Sequence, residues 1–582
     1  MTSRVSLFFI VMSFLCIDFG TAKIKTLMGI QRQAIDFHSN SLNVLPPCVS
    51  SGKEGILFGE AAEKCLSHVG MTVYPVMVPF LNPQAGASSS LDYWKSLYNV
   101  DCDLDSKMYL HGMDEYKEYA YPVSVFSIWL SSLYSELMKS FSNVNETYVS
   151  VSPLVSRSAV HGLLESMSIA KMPSPRVVYQ PFCAVLDSWK SVQSKTRIMV
   201  IDLGATYFTT SFVANQDNSL SLLDTVDEIL FGGHDIDNSL AMQIRDQYRR
   251  YNYYINIYSE QYSQLLKIAE RTKRALCEQA VVEVTIENSP CSITVKREAF
   301  SRLIEYPMKQ MVGFIGRHAR SLGWDDGSFV TLVVGGNARN DEIVRFIREG
   351  FPTSRIIIPD NVETSTIRGL SIAGTIERCR RSRFPTPEYP WVQLLPRLLY
   401  SLAIQYEGRE EVILEKGQPL LPVRKRVDIQ SLWKKQLTLV ELMDQLIQTV
   451  WTIDLDTDQA EVVLEIAFNE NNEPYPRVDG NLVNPRPNCS LNEDERTKLS
   501  GVLDLQRRVS NTEFMFQNPS LPLRKETLKY LQSIEEKLPI IVFQRPSEER
   551  FQYISKVHLQ LEMYLNKLFS SKKKPYSLSV CS

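Results

Sequence analysis

Long hydrophobic runs are missing from this chain of 582 residues: no stretch of eighteen apolar residues occurs, so no membrane-spanning helix is expected. No charge sign dominates either. The 63 basic and 66 acidic residues leave a net charge of −3, without the basic footprint that nucleic acid requires. The ten cysteines (Cys16, Cys48, Cys65, Cys102, Cys183, Cys277, Cys291, Cys379, Cys489 and Cys581) include no CxxC pair. That excludes a zinc ribbon or a thioredoxin-type motif and leaves the disulfide state open.

What is present suits a large soluble protein. A chain of this length exceeds one hydrophobic core and implies two to four domains. Arg4 followed by the apolar stretch Val5 to Ile17 has the pattern of a signal peptide over residues 1–13, with Val11-Met12-Ser13 as the small-residue cleavage site. The same residues also suit a buried first strand, and both readings hold if Phe14 to Ile17 form the strand after cleavage. Asn145-Glu146-Thr147 and Asn488-Cys489-Ser490 are glycosylation sequons. The expected location is the lumen of the endoplasmic reticulum, with the cytoplasm as the alternative.

Apolar strand-like runs alternate with helical periodicity as far as Arg380, which predicts α/β layers over 14–383. Ile198 to Asp202 and Thr331 to Val334 read as buried strands, Val125 to Phe141 and Tyr262 to Leu276 as helices. Pro385, Pro387 and Pro390 mark a linker over 384–397. Strand-like patterns then occupy 398–489, as in Glu411 to Leu414 and Glu461 to Ile466, interrupted by an insertion from Arg424 to Gln448 that reads as helical. Residues 490–582 read as a helical, lid-like region, opened by Ser490 and Glu493 spaced as a capping box.

Two segments share one chemistry. Cys16-Ile17-Asp18-Phe19-Gly20-Thr21 and Ile201-Asp202-Leu203-Gly204-Ala205-Thr206 each follow an apolar strand with an acidic residue and a glycine turn. Glycine lets a backbone approach a phosphate, and aspartate can hold hydrated magnesium through water. One such turn is an ordinary connection between strands. Two copies are what a pair of similar lobes closing on one nucleotide would need. Gly232-Gly233 precedes a helix whose N-terminal amides suit a phosphate. Glu270, Lys273, Arg274 and Cys277 share one helix face, and Gly335-Gly336-Asn337-Ala338-Arg339 forms a third glycine turn.

In this order the segments resemble the nucleotide-binding domain of the 70-kDa heat-shock chaperone family, over roughly residues 14–380. Phe58-Gly59-Glu60-Ala61-Ala62 and the stretch Val151 to Ser188, with its Gln180-Pro181 core, match as well. The resemblance implies an actin-like ATPase fold with two lobes, then a β-sandwich-like domain and a helical region. It implies ATP or ADP with Mg2+ as cofactors. Asp18, Gly20, Thr21, Asp202, Gly204, Gly232 and Gly233 would hold phosphate and metal; Glu270, Lys273, Arg274, Gly335, Gly336 and Arg339 would hold adenosine. The two arginines would sandwich the adenine ring.

The departures from the family fall on hydrolysis. The family's lysine aligns near Val78, its water-orienting glutamate with Gln180, and the residues after Gly204 become Ala205, Thr206, Tyr207 and Thr209. Such losses remove placed charge from the γ-phosphate. Asp18 and Asp202 alone remain as catalytic candidates. The degenerate second turn and the N-terminus resemble the 110-kDa heat-shock and lumenal 170-kDa glucose-regulated branch. That implies a holdase and nucleotide-exchange factor, with unfolded or nascent polypeptides and a partner 70-kDa chaperone as its partners. The alternatives are an active ATPase chaperone in which Lys23 or Lys95 supplies the missing charge, a small-metabolite kinase of the same superfold, and a scaffold.

Overall fold

The computed structural model describes residues 13–507 with interior gaps, the longest of them 82–91, 111–119 and 383–391, together with 556 and 559. Two sheets carry the same strand plan. In the first, Ser13–Phe19 pairs antiparallel with Ile24–Gln33, which pairs with Asp36–Leu45; on its other edge it runs parallel to Val144–Val151 and then Pro175–Tyr179. In the second, Arg197–Leu203 takes the central place. It is antiparallel to Phe208–Gln216, which pairs with Ser219–Val226, and parallel to Val330–Val334 and then Arg355–Ile357.

The central strands explain their own sequences. Phe14 to Ile17 and Ile198 to Ile201 are buried throughout. Strands covered on both faces read as unbroken apolar runs rather than as alternation. Each then reaches an aspartate and a glycine turn at the same end of its sheet. Helices Pro122–Ser140 and Arg157–Ile169 fill the first core; Gly233–Arg249, Glu260–Glu278 and Arg297–Ser321 fill the second. Helix Ser365–Ser382 packs on Gln180–Asp187, where Arg368 clamps the Asp187 carboxylate through two bonds of 2.8 and 2.7 Å.

Ser13 lies inside the first strand, opposite Ile30 and Val144, so a cut after Ser13 would remove a paired strand residue. Residues 1–12 of the expected signal peptide lie outside the described residues, as do Pro385, Pro387, Pro390, Ser490 and Glu493. Beyond the prolines, Gln393–Leu395 joins the second sheet as a parallel sixth strand beside Ser219–Val226.

The following region is two sheets around one apolar core that includes Leu402, Leu437, Trp451 and Leu464. The helical reading of Arg424 to Gln448 is overturned. Val423–Asp428, Gln436–Met443 and Leu446–Asp454 are strands, and the second and third pair antiparallel. Leu437 and Leu439 alternate inward on that hairpin, a period of two that the apolar spacing over a longer window obscured.

This region touches both earlier units. Arg157 pairs with buried Glu441 at 3.3 Å, Ser158 donates to the Thr449 carbonyl at 2.6 Å, and His161 meets Glu473 at 3.0 Å. On the second sheet, Lys416 and His318 converge on Asp224 at 3.2 and 3.0 Å. Residues 495–504 are helical, and Arg496 reaches Glu165 at 2.6 Å; most of the expected lid-like region lies outside the described residues. No helix among the described residues is long and apolar enough to cross a membrane, and no three metal-ligating side chains cluster among them. The described cysteines Cys16, Cys48, Cys65, Cys183, Cys277, Cys291 and Cys379 are all free thiols.

Candidate functional site

The two aspartate–glycine turns face a single cavity of about 1070 Å³. Its wall includes Asp18, Gly20, Thr21, Asp202, Gly204, Gly233, Glu270, Lys273, Arg274, Gly335, Gly336 and Arg339. Of the thirteen residues singled out from sequence, only Gly232 is set back from this wall, at the cap of helix Gly233–Arg249. Gly20 and Gly204 do one job twice: a Cβ on either would press against a carbonyl oxygen three residues on, Lys23 O at 2.7 Å and Tyr207 O at 2.8 Å. Gly335 has φ +91°, and a Cβ there would meet Asp202 Oδ1 at 2.4 Å, so the third turn can lie against the second aspartate only as glycine.

The turns are tied to one another. Asn337 donates to the carbonyls of Leu203 and Gly204 at 3.1 and 2.9 Å. Thr206 Oγ1 donates to Thr21 Oγ1 at 2.8 Å and accepts the indole N–H of Trp94 at 2.9 Å. Trp94 lies on helix Asp92–Tyr98 and was not among the residues singled out from sequence.

Two groups expected at the ligand are engaged within the protein. The amides of Gly232 and Gly233 were expected to meet phosphate. Instead Gly232 N donates to Asp235 Oδ2 at 2.7 Å, Gly233 N to the Gly204 carbonyl at 3.1 Å, and His234 N to the Ala205 carbonyl at 2.8 Å. The glycines seat the helix on the second turn, since a Cβ on Gly232 would fall 2.4 Å from the Thr206 carbonyl carbon. Lys273 was expected to reach adenosine, but its ammonium bonds Asp237 at 2.9 Å and the Gly233 carbonyl at 3.0 Å, binding two helices together.

Glu270 and Arg274 form a half-exposed i,i+4 pair at 2.7 Å, and Arg339 reaches Glu363 at 3.5 Å. Exposed pairs of this kind cost little to separate, so both guanidiniums are free to turn toward a planar ligand. His234 stacks on Tyr93 with centroids 4.0 Å apart and meets Trp94 edge-on. Neither of its ring nitrogens makes a hydrogen bond, the Asp237 carboxylate being 3.7 Å away. Burial holds its pKa below the ordinary histidine value, so it is a neutral ring at pH 7.

The two aspartates differ. Asp18 is surrounded: Lys25 Nζ lies 2.7 Å from Oδ2, while Ser150 Oγ and Gln180 Nε2 donate to Oδ1 at 2.7 and 3.0 Å. Asp202 is pushed up to about 6, by burial first and by the Asp18 charge second, with Lys25 opposing. Burial alone would lower the Lys25 ammonium, but the Asp18 carboxylate, with Asp202 and Glu363 behind it, raises it above the ordinary lysine value.

This arrangement does not suit the hydrated magnesium ion expected between the aspartates. Three of the roughly four acceptor positions of the Asp18 carboxylate are already in use. A divalent ion placed against the Asp18 carboxylate would also be repelled by the Lys25 ammonium already paired with it. The Lys25 ammonium is placed against the first turn by its ion pair with Asp18. Asp18 and Lys25 are cross-strand partners in the hairpin, at equal distances from its turn.

Val78 sits in the short 3-10 turn Val78–Leu81 and lines the same cavity, as do Gln180, Tyr207 and Thr209. The wall positions of the expected hydrolytic lysine and glutamate are thus an alkyl group and an amide. Neither can carry charge or accept a proton from water.

Repeated strand arrangements, glycine turns meeting across one cavity and a trailing all-β unit define a mixed α/β protein. The chain belongs to the Hsp70 protein family, whose model matches residues 16–369. It is 25% identical over 228 residues to a chaperone protein DnaK of Metamycoplasma hominis, covering 36% of this chain and 38% of that one. A heat shock protein homolog of Naumovozyma castellii is 22% identical over 224 residues, covering 36% and 33%. A heat shock 70 kDa protein of Emericella nidulans is 22% identical over 292 residues, covering 48% and 44%. The matched stretches thus span less than half the length of these relatives.

Proposed function

We propose that this chain is a chaperone that binds ATP or ADP between two lobes and turns ATP over weakly or not at all. It would act as a holdase for unfolded polypeptides and as a nucleotide-exchange factor for a partner 70-kDa chaperone. One observation carries the reading. The retained glycine turns and both arginines share a cavity with Val78 and Gln180, which cannot do the hydrolytic work of the family's lysine and glutamate. The likeness to the heat shock protein homologs of Naumovozyma castellii and Saccharomyces cerevisiae supports the exchange role.

ATP at millimolar concentration should raise the melting temperature, as any ligand of the folded state does. Single-turnover hydrolysis should fall far below that of an ordinary 70-kDa chaperone. Nucleotide release from such a chaperone should accelerate when the chain is added. A normal hydrolysis rate would favour the active-ATPase alternative, and no thermal shift would remove the nucleotide role altogether. The N-terminal pattern and the exposed sequon asparagine Asn145 support a lumenal address, which loss of mass on deglycosylation of the chain recovered from eukaryotic cells would test.

A further inference from the structure

The Lys25 ammonium occupies the charge position between the two aspartate turns. It lies 2.7 Å from Asp18, faces the cavity, and is influenced by Asp202 and Glu363. Only a small part of the side chain reaches solvent. Its stem rises from the strand Ile24–Gln33, directly across from Asp18, so the hairpin fixes its position. Ser150 and Gln180 hold the other Asp18 oxygen.

A phosphate chain in this cavity needs positive charge to offset its own. In this cavity the candidates among the wall residues are Lys23, Lys25, Lys273, Arg274 and Arg339. Lys273 pairs with Asp237 and the Gly233 carbonyl, on the helix seated against the second turn, and not with the Asp18 turn. Arg274 and Arg339 pair with Glu270 and Glu363, which lie apart from the Asp18 turn in sequence and in their bonding. Among the described residues, Lys25 is the cation that joins the Asp18 turn through a direct ion pair.

We infer that Lys25 is a built-in substitute for the divalent metal, so that this site binds nucleoside di- and triphosphates without magnesium. The inference rests on the nucleotide-binding reading above and adds to it the identity of the counter-charge. An ammonium on a strand is a fixed single charge with three donors. It can neutralise phosphate oxygens directly, whereas a hydrated metal must be recruited from solution.

The test is titration of the full-length chain with ATP and with ADP, followed by calorimetry, once with magnesium and once with EDTA in its place. The two dissociation constants should agree within about threefold. Lys25→Met should weaken binding in EDTA by about tenfold or more relative to binding in magnesium, because the metal then has room and a role. Lys25→Arg should keep the ratio of the two affinities near one. If the wild-type chain binds in magnesium but loses about tenfold or more in EDTA, the inference is overturned while the nucleotide reading stands. If it binds in neither, both are overturned. The wild-type comparison needs no variant, so poor folding of Lys25→Met leaves the outcome decisive.

Discussion

Thr206 Oγ1 lies 2.8 Å from Thr21 Oγ1, joining two glycine turns that are 185 residues apart in sequence. Trp94 completes the chain by donating its indole N–H to the same oxygen. The buried indole has this hydroxyl as its partner, so Thr206→Val should cost about 1–3 kcal/mol, the penalty for an orphaned buried donor. Chemical denaturation should show a lower midpoint with an unchanged slope. Thr206→Ser, which keeps the hydroxyl, should recover most of the loss.

Helix Ser365–Ser382 depends on Gly369. A Cβ there would stand 1.7 Å from the Cys183 carbonyl oxygen, a backbone atom that cannot move aside. Gly369→Ala should destabilise by about 3 kcal/mol, at the upper end of overpacking effects, despite alanine's better helix propensity. The measurement is the denaturation midpoint, and a gain in stability would contradict the packing described here.

Val78 and Gln180 can be reversed separately. Gln180→Glu alone would place a second carboxylate beside Asp18 Oδ1, where the amide now donates at 3.0 Å. It should lower the melting temperature and leave single-turnover hydrolysis at the wild-type level. Adding Val78→Lys should raise that rate by about a hundredfold, the scale of one placed electrostatic contact.

Asp224 links the second sheet to the β region through Lys416 and to helix Arg297–Ser321 through His318. Burial alone would raise its pKa, but the His318 hydrogen bond and the Lys416 charge hold it below the ordinary aspartate value of 3.8. A carboxylate depressed on folding stabilises the fold above its unfolded pKa, and that contribution is lost as pH falls through the folded pKa. Asp224→Asn should therefore melt earlier than wild type at neutral pH. The two should converge as the pH drops below 3.8, which thermal scans across that range would show.

The parts of the fold read most directly from sequence were those with one strong physical cause. Ile198 to Ile201 and Val330 to Val334 are covered on both faces, and a mostly apolar run satisfies such a position, with buried Thr331 partnered by Ser354. The helix Glu260–Glu278 announced itself by an apolar stripe that includes Leu265, Leu266, Ala269 and Leu276. The hairpin around 436–454 did not, because Leu437 and Leu439 point inward only once their partner strand is in place. The glycine turns placed most of the cavity wall, yet Lys25 escaped notice, since nothing in a motif shows that residues seven apart will face one another across a hairpin. Trp94 is 112 residues from the hydroxyl it meets, a distance that only the tertiary fold closes. The commitments of Lys273 and of the Gly233 amide were equally invisible, because sequence names donors but not their acceptors.

Cys277 sits in the cavity wall with its thiol turned to the Lys273 carbonyl, and burial raises its pKa. Of the seven cysteines whose side chains are described, only it and Cys291 are partly exposed. Its low thiolate fraction makes alkylation slow, and the rate is set by how often the wall opens to a reagent. Maleimide labelling followed by mass mapping therefore gives the unmodified protein a clock for cavity opening. A bound nucleotide should slow that clock at Cys277 and leave Cys291 as the internal standard.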